Sequence, residues 1–91
     1  MKQKIGINLY MVIWTDATHI LDPDEKNVTP MVAADFGFIL KASKKYLVLG
    51  TEFFTEGHTR QAMSIPMGMV KNIKKVARVK MPKQFKSHPT L

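Results

Sequence analysis

The chain has 91 residues, 14 Lys and Arg against 7 Asp and Glu, and a formal net charge of +7, with no cysteine. This length makes one small domain with a modest core, and the lack of cysteine excludes disulfides, thiolate chemistry and cysteine-held metal. The positive surplus favours anionic partners: nucleic acid, nucleotides or an acidic protein.

The opening, MKQKIGINLYMVIWTDA, is basic and then apolar. Asn8 and Tyr10 interrupt the apolar run, so it lacks the unbroken core of roughly 7–15 residues that a signal peptide needs. Ile7, Leu9, Met11 and Ile13 alternate with Asn8, Tyr10, Val12 and Trp14, a period of two that predicts a strand. Thr15 to Pro30 is a polar stretch whose Asp22-Pro23-Asp24 run forms turns, and a loop this long in a small domain is often functional. Met31 to Ala34 reads as a short strand or the approach to one.

Phe36 to Ala42 is the second strand, and Gly37 within it marks a bend or a close backbone approach. A tight turn at Ser43 to Lys45 leads to a third strand, Tyr46 to Thr51, with Leu47 and Leu49 on one face. Thr55-Glu56-Gly57-His58 is a hairpin loop, with Gly57 suited to a left-handed position. Thr59 to Ile65 is the fourth strand. Pro66-Met67-Gly68 cannot continue a ladder and makes a single turn. Met69 to Val79 is the last strand, although Val70, Ile73, Val76 and Ala77 also fit the period of an amphipathic helix. Pro82 and Pro89 break regular structure beyond it.

These elements predict a mainly all-β chain: a small five-stranded SH3-like or Sm-like barrel over residues 1–79, followed by a basic, flexible tail over 80–91. Exposed apolar strand residues in so small a chain point to an oligomer. No segment approaches the roughly 20 apolar residues of a membrane span, so no membrane association is expected and a cytoplasmic location is.

All seven acidic residues lie at or before Glu56. Beyond it come Arg60, Lys71, Lys74, Lys75, Arg78, Lys80, Lys83 and Lys86 with no acid between them. Such a run is a solvated face and tail, or a surface for an anion.

Trp14 to His19, WTDATH, sets a flat ring beside hydrogen-bonding groups. Trp14 can stack on a base, Thr15 and Asp16 can meet a base edge, and Thr18 can reach a phosphate. The same residues also describe a core tryptophan followed by a capped turn. Around the hairpin, Phe53, Phe54, His58 and Arg60 form a second candidate group. Neighbours on a strand face opposite ways, so one of the two phenylalanines faces outwards, and the planar fork of Arg60 suits phosphate. Tyr46 adds another aromatic face.

The catalytic options are thin. Ser43 and Ser64 lack a nucleophile-elbow pattern, and no phosphate-binding glycine loop occurs. His19, His58 and His88 lack ligand spacing, and Asp22, Asp24 and Glu25 read as solvated loop acids. Neither a catalytic residue, a metal nor a cofactor is expected.

Four short elements carry a family resemblance: Val12, Trp14, Asp16 and Ala17 ending the first strand; Gly37-Phe38-Ile39-Leu40; Tyr46-Leu47-Val48-Leu49; and Ile65-Pro66-Met67-Gly68-Met69-Val70 running on to Ile73. In this order and spacing, over residues 7 to 76, the chain resembles small bacteriophage barrel proteins of the anti-CBASS cyclic-oligonucleotide sponge type. The resemblance implies a non-enzymatic immune-evasion protein in the host cell cytoplasm. Such a protein binds cyclic oligonucleotide messengers, such as cyclic GMP-AMP, without cleaving them, and so blocks CBASS anti-phage signalling. It also implies a homo-oligomer, a tetramer, with pockets formed between subunits. The extra lysines after the Ile-Pro turn and the basic tail depart from that pattern. They leave open an Sm-like barrel that binds RNA or an acidic host protein.

Overall fold

The computed structural model describes residues 4–16 and 31–91. Its strands are β1 (Gly6–Asp16), β2 (Met31–Ala42), β3 (Tyr46–Phe53), β4 (Thr59–Pro66) and β5 (Val70–Lys80), with one 3-10 turn at Met67–Met69. All pairings are antiparallel, and the strands form one sheet in the order β4-β3-β2-β1-β5. The chain is therefore mainly β. Residues 70–80 are strand, because β5 pairs with β1 from Gly6↔Lys80 to Trp14↔Val70. A single turn does separate β4 from β5, but it falls at Met67–Met69: Pro66 itself closes β4 opposite Tyr46, so the ladder runs one residue further than its proline predicts.

The sheet is open, with β4 and β5 as its two edges. Strand number and antiparallel connection agree with the sequence; closure into a barrel is not seen. β3 runs on past Thr51 to Phe53, and β1 and β2 are longer than expected as well. Thr15 and Asp16 stay in β1, opposite Val32 and Met31, and β2 is continuous from Met31. The ladder here carries the extended conformation past the point where the sequence turns polar.

Curvature comes from a change of partner along β2. Residues 31–37 pair with β1, and residues 38–42 pair with β3. Gly37 sits at the changeover, where an added Cβ would strike the Gly50 carbonyl oxygen. A Cβ on Gly50 would in turn lie 2.5 Å from Cε2 of Phe38. The strands cross this closely only because both positions lack side chains. Register shifts add to the twist: Val76 and Lys71 are the unmatched residues of β5 against β1.

The core is small. Val12, Leu47, Leu49 and Ile65 are fully buried, with Trp14, Ile39, Met67 and Val70 packed against them. Leu47 and Leu49 share one face of β3, as their spacing predicts. Ser43 fixes the β2–β3 turn: its hydroxyl oxygen accepts from the amides of Lys45 and Tyr46 at 3.2 and 3.1 Å. Gly57 turns the β3–β4 hairpin at a φ of +96°, with its amide donating to the Phe54 carbonyl at 2.8 Å.

The segment after β5 lies back along the sheet. The Met81 amide donates to the Ile5 carbonyl, Lys86 to that of Thr55 and Thr90 to that of Gly57, at 2.8–2.9 Å. Phe85 meets Phe53 edge-on at 5.2 Å, and Phe53 meets Phe38 likewise at 5.1 Å. Among the described residues no helix is long and apolar enough to cross a membrane.

Candidate functional site

The residues singled out in the sequence fall at two ends of the sheet. Trp14, Thr15 and Asp16 end β1. The Trp14 ring packs against the core, and its indole N–H donates to Oδ2 of Asp35 on β2. Asp35 stands opposite Val12, the residue two before Trp14, so the bond runs diagonally between the strands. These are the contacts of a core tryptophan with a satisfied polar edge. Thr15 is half-buried opposite Val32. Thr18 and the acids Asp22, Asp24 and Glu25 lie outside the described residues.

Tyr46 opens β3 opposite Pro66 and is 51% exposed. Phe53 closes the same strand, about 24 Å further along. Tyr46 therefore shares the Trp14 end of the sheet, while Phe53, Phe54, His58 and Arg60 gather at the other.

At that hairpin tip Arg60 is already engaged. Its Nε lies 2.6 Å from Oε1 of Glu52, and Nη2 donates to Oε2 at 3.2 Å. The shorter contact is an ion pair without hydrogen-bond alignment, which is why Oε1 has no hydrogen-bonded partner. The Arg60 side chain is 63% exposed, so the pair contributes at most about 1 kcal/mol, and an anion can compete for it. The guanidinium also sits 5.7 Å from the centre of the exposed Phe54 ring. His58 is exposed and bridges to Thr90 of the C-terminal segment. Of the two phenylalanines, Phe54 faces outwards and Phe53 packs inwards.

A groove of about 430 Å³ opens at the Gly6 end, lined by Asn8, Tyr10, Ile39, Arg78, His88 and Pro89 among others. Among the described residues, none of those singled out as candidates lines it, and no carboxylate does. Arg78 Nη1 donates to Oδ1 of Asn8 at 3.0 Å, directly across the β1–β5 ladder. The guanidinium lies over Gly6, where a Cβ would come within 2.7 Å of Nη2. Tyr10 pairs with Gly37 on one side and with Lys75 on the other, so Lys75 projects to the same side of the sheet as Tyr10 and Arg78. A second groove, of about 310 Å³, is apolar and runs between Ile7, Leu9, Phe38, Phe53, Val79 and Phe85.

The first groove escaped the sequence because 70 positions separate Asn8 from Arg78. The one signal available was the alternation that puts Asn8 and Tyr10 on a common face. Among the described residues no three His, Asp or Glu side chains lie close enough to share a metal ion. Comparison with known protein families, curated proteins and solved structures finds no match.

Proposed function

We propose that this chain is a phage immune-evasion protein of the sponge type. It binds cyclic oligonucleotide messengers, such as cyclic GMP-AMP, holds them intact in the host cytoplasm, and so keeps CBASS effectors silent. The observation that carries the reading is the Gly6-end groove. It offers a guanidinium with no carboxylate partner among the described residues, an aromatic ring and amide and imidazole groups in one concavity. A cyclic dinucleotide presents two phosphates and two bases. Cations for the phosphates and rings for the bases are what it needs, and stacking contributes about 1–3 kcal/mol per base. The motif order from Val12 to Ile73 supports the same reading by resemblance.

The proposal includes an assembly. The strand order β4-β3-β2-β1-β5, the bend at Gly37 and the turn before β5 are compatible with an SH3-like or Sm-like barrel. Its open edges are completed in a homo-oligomer, with a tetramer favoured.

The test is thermal. Ligand at 100 times its dissociation constant stabilises a site by about 2.7 kcal/mol. Each kcal/mol moves the Tm of a domain this size by roughly 4–8 °C. Cyclic GMP-AMP should raise the Tm and be recovered whole after heat denaturation. Cleaved ligand would mean an enzyme, and no shift with any cyclic oligonucleotide would remove the sponge reading. One observation favours a second reading, an Sm-like RNA-binding barrel. Lys74, Lys75, Arg78 and Lys80 are all exposed along one edge strand, as a nucleic-acid backbone requires. A shift with single-stranded RNA alone would put that reading first.

A further inference from the structure

We infer that Arg78, laid over Gly6 and fixed by Asn8, is the seat of a phosphate group, and that the C-terminal segment supplies one wall of that seat. The inference rests on the proposed function only for the identity of the ligand; the seat itself is argued from the groove.

A guanidinium has five N–H donors, and the bond to Asn8 Oδ1 takes one of them. That bond pins the plane of the fork and leaves donors for a second acceptor. The missing side chain at Gly6 is what gives the fork its resting place. A planar, pre-positioned fork matches two phosphate oxygens at once. Among the described residues no acid lines the groove to compete, whereas Arg60 is held by Glu52. Arg78 is therefore the better anchor of the two arginines beyond Glu56, although Arg60 is the one the sequence picks out.

The groove volume, about 430 Å³, falls within the roughly 300–1,000 Å³ typical of small-ligand sites. Tyr10 offers a ring and a hydroxyl beside the seat. His88 and Pro89 come from the segment after β5, which is tied down by the bonds from Lys86 to Thr55 and from Thr90 to Gly57. That segment is therefore part of the site. The sequence reads this same segment as a basic, flexible tail.

The seat can be tested by titration calorimetry with cyclic GMP-AMP and with a short single-stranded RNA. The proteins to compare are the wild type, Arg78→Gln, Gly6→Ala and, as a control that loses a distant charge, Lys44→Gln in the β2–β3 turn. Arg78→Gln should weaken binding at least about tenfold, the effect of losing one charge-assisted bond. Gly6→Ala should weaken it too, because its methyl displaces the guanidinium, a flexible group that can move without damage to the sheet. Lys44→Gln should bind as the wild type does. If the wild type binds cyclic GMP-AMP but Arg78→Gln and Gly6→Ala bind equally well, the seat is overturned and the proposed function survives. If only RNA binds, and binding depends on Arg78 and Gly6, the seat stands and the sponge reading falls. If neither ligand binds, both fall.

Discussion

The Phe85 ring meets the Phe53 ring at 5.2 Å and 62°, an edge-on contact that joins the C-terminal segment to the end of β3. Phe53 passes the contact on to Phe38 at 5.1 Å. The three rings form a chain from the tail to the bent strand β2. Phe85→Ala removes a half-buried ring and should cost about 1–2 kcal/mol, lowering the Tm by roughly 5–15 °C. Truncation after Lys80 should cost at least as much, since it also removes the bonds to Thr55 and Gly57. Thermal melts of both variants check this. A truncated chain as stable as the full one would mean that the segment detaches in solution.

Gly37 and Gly50 fix the bend, and their substitution should not be tolerated. A methyl on Gly37 meets the Gly50 carbonyl, a backbone atom that cannot swing aside. Gly37→Ala should therefore cost about 2–3 kcal/mol. Gly68, in the turn before β5, has none of the described residues within 4 Å of its missing side chain. Gly68→Ala should lie within about 0.5 kcal/mol of the wild type. Urea denaturation of the two variants side by side measures the difference. Equal midpoints would show that the crossing of β2 over β3 is looser than these contacts require.

The sequence made the strands legible because each carries a period of two bounded by turn residues, as in Leu47 and Leu49 between the Ser43–Lys45 turn and the Gly57 hairpin. Gly37 marked the bend and Ile65-Pro66 the turn. Strand ends were less legible: Thr15 and Asp16 look like loop residues, and only their ladder with Val32 and Met31 keeps them extended. The docked tail was hidden as well, because Phe85 is a single apolar anchor between Pro82 and Pro89. The groove was hidden for a topological reason. Nothing in the linear pattern brings Arg78 to Asn8; the return of β5 to pair with β1 does. Trp14 shows the opposite limit. A ring among polar groups suits both a base-stacking surface and a core, and its bond to Asp35, 21 positions away, decides which contacts it makes.

Removing that bond has a predictable cost. Asp35→Ala leaves a half-buried indole N–H without an acceptor, a penalty of about 1–3 kcal/mol. Asp35→Asn retains a carbonyl acceptor and should recover most of it. Trp14 is the sole tryptophan, so its emission reports this environment directly. The alanine variant should shift the emission and lower the Tm together. The same signal separates two places for the ligand. Trp14 lies six residues from Asn8 along β1, about 20 Å. Ligand seated at Arg78 should leave the emission nearly unchanged, whereas a base stacked on Trp14 would quench it.

The last prediction concerns the open edges. Ile73 on β5 stands opposite Val12, and Met63 on β4 stands opposite Leu49, so both project to the core side of the sheet. Val12 and Leu49 are buried, yet Ile73 and Met63 are 38% and 37% exposed. The core thus runs out to both edges and stops uncovered. A second copy that covers these margins gains about 1.5–3 kcal/mol for each large apolar side chain fully buried. Light scattering at micromolar concentration should give a mass above that of one chain. The double variant Ile73→Glu, Met63→Glu should scatter as a monomer while its circular dichroism stays that of a β protein, because both side chains sit at the margins of the core, where a charge can still reach water in the single chain. A wild type that scatters as a monomer would remove the oligomer, and with it any pocket shared between subunits. The Arg78 groove, lined by one chain, would still stand.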